Sequence, residues 1–400
     1  MTITSEQIGR LDEVIGDIEV IDTDTHLTEP HDLWVSRAPK RWKDRVPQVR
    51  EVDGRATWVL DGAALGRAAG AAVVLPDGSK AYGPEFMGFT IDDVHPAAFD
   101  VRARVALMDE MGIHAQIVYP NVVGFGGQNF TDGVEPELRL LCATIFNDAM
   151  AEFQEESGQR MFPMALLPWW DIDAAVREIE RCHAMGLRGV NTHSDPHDQG
   201  LPDLAERAWD PVWEACASLG MPVNFHIGAS QTAMSWYGTG PWPSMDAERK
   251  LAMGSTLVMI GNFRTLGNVL VSGVLERHPT LQVVSVESGL GWIPFLLECL
   301  DYELSECAPH VAEHLSMKPS EYFRRQVHAC YWFERGGLET GLAALGADHI
   351  MFETDFPHPT CLYPDSLERA AETLALVEPE VRRKVLSTNA ASLYRIPISR

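Results

Sequence analysis

Two side chains near the start of the chain have the types and spacing of a metal site. Asp24 and His26 follow the apolar residues Val20 and Ile21 and are separated from each other by one residue. Alternate residues of a β-strand point to the same face, so a strand ending here would present a carboxylate and an imidazole to one ion. Asp22, two residues before Asp24, would lie on the same face of the strand but further from its end, where it could orient a ligand through a hydrogen bond.

Two later segments offer ligands of the same kind at the ends of apolar runs. His226 ends the run 222–225, and Asp355 follows the run 350–352. Ligands from three strand ends, with a coordination position left open, are typical of a catalytic rather than a structural metal site. A mixed carboxylate and imidazole set suits Zn, Mn or Fe, so we expect one divalent ion, with a second ion left open. The predicted metal ligands are Asp24, His26, His226 and Asp355.

Three further side chains occupy comparable positions. Glu287 ends the run 283–286, His193 follows the run 190–192, and His358 lies between two prolines. A buried carboxylate or imidazole is more often a hydrogen-bonded core group than a catalyst. The strand-end position favours a functional role for Glu287, whereas His193 is evenly balanced between the two and a simple turn would explain His358 equally well. The predicted catalytic residues are Glu287, Asp355 and His193.

Eight apolar runs supply the strands that would position these residues. They are 20–24, 115–119, 162–167, 189–192, 223–226, 281–287, 327–331 and 350–353. Amphipathic helical patterns lie between most of them, and the clearest, 174–185 and 211–219, are each followed by a glycine. Strand and helix in alternation form parallel βαβ units. Eight units predict an α/β fold of the (β/α)8, or TIM, barrel type, with the active site at the carboxyl ends of the strands.

One segment interrupts the repeat after the first strand. Residues 40–100 separate the first two predicted strands. Within them, 57–62 and 72–78 resemble short strands with Asp-Gly turns. We therefore expect a small β insertion at 40–100 in a chain that otherwise forms one barrel domain, 1–400.

A second segment, 228–261, follows the fifth strand and is rich in glycine, proline and aromatic residues. It is expected to be a long loop. Because it follows the predicted ligand His226, it could cover the mouth of the barrel, although an oligomer contact would explain the aromatic residues equally well. The predicted substrate contacts are Trp236, Trp242 and His358.

Charge and cysteine usage exclude several classes of partner. The chain has 57 acidic and 32 basic residues, a net charge of −25, which argues against nucleic acid or anionic membranes as partners. Seven scattered cysteines without a C-x-x-C pair fit a reducing compartment better than a disulfide framework. The first residues lack the features of a secretory signal, and no apolar run approaches the ~18 residues of a membrane span. We expect a soluble cytoplasmic protein.

Several motifs, taken together, resemble the amidohydrolase superfamily, in the branch that includes the aminocarboxymuconate-semialdehyde and resorcylate decarboxylases. The matching segments are 22–30, 108–113, 187–190, 225–228, 287–295, 354–358 and 389–394. The resemblance implies a (β/α)8 barrel that binds a divalent metal and forms a homodimer. It assigns the pair Asp24 and His26 to the first strand of the family, His226 to the fifth and Asp355 to the eighth.

The chain departs from the family pattern on strand six, where many members carry a histidine and this chain has Glu287. A carboxylate could still carry a proton, or it could join His193 in holding a second ion. The end of strand four lacks a lysine, which argues against a carbamylated-lysine bridge between two metals.

These observations predict a metal-dependent enzyme acting on a small carboxylated substrate, aromatic or cyclic. Decarboxylation is the preferred reaction, with the metal binding the carboxylate as a Lewis acid and Glu287 moving the proton. The alternative is hydrolysis by a metal-activated water, with Asp355 or Glu287 as base. A barrel that binds a ligand without turnover is a third interpretation, which the ligand set opposes.

Overall fold

The computed structural model describes residues 11–131, 133–235, 237 and 242–399. Its strands are β1 (Val20–His26), β2 (Gln48–Val52), β3 (Arg55–Leu60), β4 (Ala63–Arg67), β5 (Ile113–Tyr119), β6 (Met161–Pro163), β7 (Ala165–Leu166), β8 (Val190–Asn191), β9 (Val223–His226), β10 (Val283–Val286), β11 (Val327–Tyr331) and β12 (Ile350–Phe352).

The α-helices lie between and after these strands. They are α1 (Leu33–Arg37), α2 (Val101–Met111), α3 (Pro136–Glu156), α4 (Ile172–Ala184), α5 (Asp210–Leu219), α6 (Gln231–Met234), α7 (Ala247–Val258), α8 (Ile260–Val271), α9 (Val274–Arg277), α10 (Ile293–Cys307), α11 (Pro309–Ala312), α12 (Pro319–Gln326), α13 (Gly336–Leu345), α14 (Ser366–Leu374), α15 (Pro379–Arg383) and α16 (Asn389–Tyr394). A π-helical segment, Lys384–Thr388, precedes α16.

The parallel strands join into a ring. β1, β5 and β6 form one parallel sheet, and β7 to β12 form another in chain order. Met164, between β6 and β7, donates its N–H to the Val118 carbonyl at 2.9 Å and so connects the sheets on one side. On the other side, Asp355 donates its N–H to the Asp24 carbonyl at 2.9 Å. The prediction of an α/β fold with parallel strands is confirmed.

Each of the eight predicted apolar runs overlaps a strand of this ring. The third run, 162–167, overlaps both β6 and β7. The two amphipathic patterns also form helices, α4 and α5. Gly220 ends α5 with a left-handed φ of 62°, the conformation that glycine adopts at low cost. The carboxyl ends of the strands therefore carry the residues that the sequence indicated.

Along the chain, an antiparallel sheet of β2, β3 and β4 is inserted after β1 and before α2. Asp61 and Gly62 turn the chain from β3 to β4 with φ values of 52° and 86°, as a tight hairpin requires. The expectation of a strand at 72–78 is wrong, because this segment makes only an isolated bridge between Val74 and Lys80. The proline and the Asp-Gly turn inside it reverse the chain before a strand can extend.

The expectation of a continuous loop at 228–261 is also wrong, because α6 and α7 lie within it. Ser230 caps α6 by accepting from the Ala233 N–H at 2.9 Å, and Asp246 caps α7 by accepting from the Arg249 N–H at 2.8 Å. These are N-cap signals that the abundance of glycine and proline nearby concealed.

The interior of the barrel is filled by apolar side chains from alternating strand positions. Its cluster includes Ile21, Ile117, Val284 and Met351, together with Tyr394 from α16. The Tyr394 hydroxyl donates to Asn224 Oδ1 at 2.6 Å. The C-terminal helix therefore packs into the same core as the strands. Among the described residues, no helix has the length and apolar character needed to cross a bilayer.

Arg104 on α2 connects this helix to the end of β1. Its side chain is buried and donates to the carbonyls of His26 and Ala97 and to Gln116 Oε1. Replacing Arg104 with Met would leave these acceptors unpaired in the core. We expect the free energy of unfolding, measured by urea titration, to fall by about 2–4 kcal/mol.

The exposed Arg102 on the same helix offers a matched control, since its side chain pairs at the surface with the exposed Glu156. Arg102→Met should change the free energy of unfolding by no more than about 0.5 kcal/mol. Equal effects of the two substitutions would show that the buried hydrogen bonds of Arg104 do not stabilise the fold.

Candidate metal centre

The four predicted metal ligands meet at one point at the carboxyl ends of the strands. His26 and His226 bring their Nε2 atoms to 3.1 Å from each other. Asp24 Oδ1 lies 3.6 Å from the first of these nitrogens and 3.5 Å from the second. Asp355 Oδ1 is 3.7 Å from His26 Nε2. Residues more than 300 positions apart in the chain therefore converge because parallel strands end on the same side of a barrel.

Glu287 belongs to the same cluster. Its Oε2 lies 3.0 Å from His226 Nε2. Two overlapping groups of side chains each bring their ligand atoms within 4.8 Å of one another. The first group is Asp24, His26, His226 and Glu287, and the second is His26, Glu287, Asp355 and His358. The glutamate is therefore close enough either to join a metal or to exchange a proton with a group bound to one.

The donor atoms of this cluster fit a cation. Both oxygens of Asp24 are buried and lack a hydrogen-bond partner among the described groups, while Oδ1 of Asp355 and Oε2 of Glu287, also buried, face imidazole nitrogens of His358 and His226 at 3.0 Å. A buried carboxylate without compensation costs several kcal/mol, so this arrangement needs positive charge nearby. Carboxylate oxygens combined with imidazole nitrogens suit a divalent ion of intermediate hardness, such as Zn, Mn or Fe.

The protonation equilibria show the same demand for positive charge. Burial, followed by the charge of Asp24, raises the pKa of Asp355 well above its usual value. Burial, followed by the charge of Asp355, raises the pKa of Glu287 to about 8. Burial alone would lower the pKa of His226, but Asp24 and Glu287 outweigh it and raise that pKa well above normal. Protons and metal ions therefore compete for this cluster.

The backbone turns sharply at two residues of the cluster. Glu287 and Asp355 have φ values of 53° and 60°, a left-handed conformation that side chains other than glycine adopt at a cost of about 1–2 kcal/mol. Glu353 Oε2 accepts the Glu287 N–H at 3.1 Å. Glu334 Oε1 accepts the N–H groups of Leu290 and Gly291 at 2.7 and 2.9 Å. Two further carboxyl groups thus hold the segment that begins at Glu287.

The Asp22 side chain accepts hydrogen bonds from backbone and side-chain groups next to the cluster. Its carboxylate accepts from the Thr354 N–H at 2.9 Å and the Thr354 hydroxyl at 2.6 Å. Gln116 Nε2 donates to it at 3.2 Å, and the Asp24 N–H at 3.4 Å. These bonds tie β1 to the residue that precedes Asp355. Burial raises the pKa of Asp22 to about 7.

His358 lies against the cluster. Its ring stacks on that of His26 with a centroid distance of 3.7 Å, and its Nδ1 lies 3.0 Å from Asp355 Oδ1. Its Nε2 is 2.8 Å from Asn121 Oδ1. Burial lowers the pKa of His358 to about 4, so the ring is neutral near pH 7. A neutral ring carries a single N–H, so it can donate to Asn121 Oδ1 or to Asp355 Oδ1 but not to both.

His193 is not part of either ligand group found among the described residues. Its Nδ1 accepts the Asp195 N–H at 3.0 Å, and its ring packs against Trp169 at a centroid distance of 4.2 Å. Burial lowers its pKa to about 4. A catalytic role for His193, or a part in binding a second ion, stays a prediction.

A cavity of about 800 Å³ opens above the cluster. Glu287, Asp355 and His358 line it from the strand ends. Trp242, a predicted substrate contact, has 49% of its surface exposed and is not among the lining residues, so that role stays a prediction. Trp236, another predicted contact, lies outside the described residues.

Two lining residues were not anticipated from the sequence. Phe125 packs its ring against His226 and His26, with centroid distances of 4.4 and 5.1 Å. Arg67 at the end of β4 is the only lysine or arginine among the described residues that line the cavity. A phenylalanine among glycines and an arginine in an antiparallel strand follow no motif, so only the three-dimensional fold reveals them.

If the cluster binds a metal, His226→Ala should lose the stoichiometric divalent ion because it removes a central nitrogen ligand. The ion can be measured by elemental analysis after dialysis. Chelation of the unmodified protein should also lower the thermal midpoint, since a ligand at 100 times its Kd stabilises by about 2.7 kcal/mol.

His193→Asn provides the control, because it alters another buried strand-end histidine outside the ligand groups. This variant should keep its metal. Full metal retention in His226→Ala, or equal loss in both variants, would contradict the assignment of the ligands.

The chain is similar to several known proteins. Gamma-resorcylate decarboxylase of Polaromonas sp. (strain JS666 / ATCC BAA-500) is 26% identical over 313 residues, covering 73% of this chain and 86% of that protein. An amidohydrolase from Mycobacterium avium subsp. paratuberculosis K-10 superposes with a TM-score of 0.74 at 23% identity, covering 94% and 99% of the two chains. Dihydroxybenzoic acid decarboxylase from Polaromonas sp. JS666, solved with bound manganese and 2-nitroresorcinol, has a TM-score of 0.62 at 18% identity, covering 96% and 98%.

The structural similarities establish the fold, at identities too low to carry over a substrate. The sequence itself supplies the family, because the model of the family described as Amidohydrolase matches residues 21–396. This match spans β1 to the residues after α16 and includes every member of the cluster. The chain belongs to the amidohydrolase family.

Proposed function

We propose that this protein is a metal-dependent decarboxylase that acts on a small carboxylated aromatic or cyclic compound. The observation that carries the proposal is the cluster of buried carboxylates and imidazoles at the floor of a largely apolar cavity. Two similar proteins are named as decarboxylases, which supports decarboxylation as the reaction. In this proposal Asp24, His26, His226 and Asp355 hold one divalent ion, and the protein is a homodimer in the cytoplasm.

In this proposal the substrate binds with its carboxylate toward the cluster and its ring in the cavity. When bound, the divalent ion supplies Lewis-acid stabilisation of negative charge on the substrate oxygens. Phe125 packs over the imidazoles of His26 and His226 and shields them from water on that side. Exclusion of water strengthens each charge interaction inside the site.

Glu287 is the proton donor in this scheme. Its Oε2 lies 3.0 Å from His226 Nε2, at the floor of the cavity, and burial raises its pKa, which favours the protonated carboxyl group that a proton donor needs. That proton passes to the ring carbon that bears the carboxylate, the carbon–carbon bond breaks, and its electron pair returns to the ring as CO2 leaves. Glu287 then regains a proton from solvent through the open cavity. General acid catalysis of this kind is worth roughly 10²- to 10⁴-fold in rate.

Arg67 is proposed to attract the anionic substrate. Its guanidinium donates to the Gly70 carbonyl at 3.2 Å and lies 5.1 Å from the centroid of the Phe86 ring, and neither partner is charged. Burial lowers the pKa of Arg67, although an arginine remains charged near pH 7. An anionic ligand in the cavity would therefore give this cation a charged partner.

Glu287→Gln tests the proton transfer. The substitution keeps the size of the side chain and removes the titrating group. With γ-resorcylate as the first substrate assayed, we expect kcat for CO2 release to fall by roughly 100-fold or more while metal content persists. Loss of metal together with activity would instead make Glu287 a ligand.

Isotope labelling separates decarboxylation from the hydrolytic alternative. A decarboxylase run in deuterated water places one deuterium on the ring carbon and releases CO2. A hydrolase run in ¹⁸O-labelled water places solvent oxygen in the organic product. Stoichiometric ¹⁸O in that product without CO2 would show that the proposed reaction is wrong.

Arg67→Ala should raise the KM or Kd for carboxylated substrates by about 10- to 100-fold, since hydrogen bonds to charged groups are worth about 1.5–3 kcal/mol. Arg55→Ala, in the same antiparallel sheet but exposed and outside the cavity lining, is the matched control. The same KM in both variants would remove Arg67 from substrate binding.

A further inference from the structure

The cavity above the metal cluster is larger than a one-ring substrate needs. It measures about 800 Å³, whereas a benzoate with two hydroxyl groups occupies on the order of 200 Å³ at the packing density of protein interiors. A ligand pocket usually buries most of the surface of the ligand that it binds. A single ring held at the strand ends would therefore leave most of this space empty or wet.

One face of α7 forms a wall of the cavity. Glu248, Leu251, Ala252 and Ser255 of α7 line it, with the spacing that brings residues of a helix to one side, and Met259 lines it directly after the helix. None of them belongs to the metal cluster. Ala252 and Ser255 are small, so the helix face leaves space between the larger side chains rather than filling it.

Aromatic side chains form other parts of the same wall. Trp332 and Phe333 line the cavity directly after β11, and Tyr82 lines it from the segment between β4 and α2. Phe333 is 53% exposed and Tyr82 is 76% exposed. Exposed aromatic surface around a cavity that ends at a catalytic centre is typical of a binding site for an apolar group.

We infer that the substrate carries an apolar substituent, the size of a second ring or larger, which lies against α7 and Phe333 while its carboxylated ring meets the metal cluster. This inference rests on the proposed function, because the carboxylate fixes which end of the substrate faces the strand ends. The substituent lies across the ring from the carboxylate, since the cavity extends from the strand ends to α7. A one-ring acid such as γ-resorcylate fills only the inner part.

The test compares two probes on the manganese-loaded protein. They are γ-resorcylate and its derivative with a phenyl group at the ring carbon opposite the carboxylate. The Kd of each is measured by calorimetry, and kcat/KM by CO2 release. We expect the phenyl derivative to bind roughly tenfold or more tightly, since even one methylene in an apolar pocket is worth about 10-fold or more. Equal Kd values for the two probes would overturn the inference.

A filling substitution locates the substituent. Ala252→Trp places an indole on the cavity face of α7, and the Kd ratio of the two probes should fall to about one. Lys250→Trp makes the same change on a face of α7 that does not line the cavity, and it should keep the ratio of the unmodified protein. A ratio that Ala252→Trp leaves intact would overturn the inference, and thermal melting of both variants verifies that each is folded.

The outcomes separate this inference from the proposed reaction. If neither probe releases CO2 but the phenyl derivative still binds at least tenfold more tightly and Ala252→Trp removes the difference, the extended pocket stands and decarboxylation fails. If both probes release CO2 with equal Kd and kcat/KM, decarboxylation stands and the extended pocket fails.

Discussion

Asp24, Glu287 and Asp355 bring three carboxyl groups together around the imidazoles of His26 and His226, in a region that is buried from water. Such a group of like charges opposes folding, because each carboxylate loses its hydration and repels the others. Raised pKa values at Glu287 and Asp355 are one response, since protonation removes charge. A divalent cation would be a stronger response, and the two buried Asp24 oxygens, which lack a hydrogen-bond partner among the described groups, leave room for one.

The surrounding scaffold keeps these groups together despite their repulsion. The N–H of Asp355 bonds to the Asp24 carbonyl, so two of the carboxylates are fixed by the same backbone contact that connects β12 to β1. Asp22 adds bonds to Thr354 next to this contact. Glu353 fixes the left-handed turn at Glu287 from the other side. The strain of the site is therefore balanced by hydrogen bonds that lie deeper in the barrel.

The strands and the residues that meet in the cluster can be recognised in the sequence for related physical reasons. Buried parallel strands are rich in apolar residues, so His226 at the end of β9 and Asp355 just beyond β12 stand out, as do Asp24 and His26 after Val20 and Ile21. The positions of Arg67, Phe125 and Glu334 could not be predicted, because their roles depend on which loops approach each other after the barrel closes. The helix α7 could not be predicted either, because the glycine and proline residues near it in the sequence indicate a loop.

Glycines around Glu334 illustrate what such a loop contact requires. A Cβ at Gly289 or Gly337 would lie 2.7 Å from Glu334 Oε1, so only glycine leaves room for this carboxylate at both positions. One oxygen thereby accepts two N–H groups at the start of α10, where the helix dipole favours negative charge. Trp332 and Phe333 of the cavity wall immediately precede Glu334, so this contact links the wall that would hold the substrate to the segment that carries Glu287.

The charge of the whole molecule sets a final constraint on this site. A net charge of −25 repels an anionic substrate at long range, although salt screens that repulsion beyond about 8 Å under physiological conditions. Attraction must therefore arise locally, within the cavity. In the proposed complex, Arg67 in the wall and a cation among the carboxylates would provide it at two points. An apolar substituent against α7 would add affinity that carries no charge, and this contribution would be insensitive to the acidity of the surface.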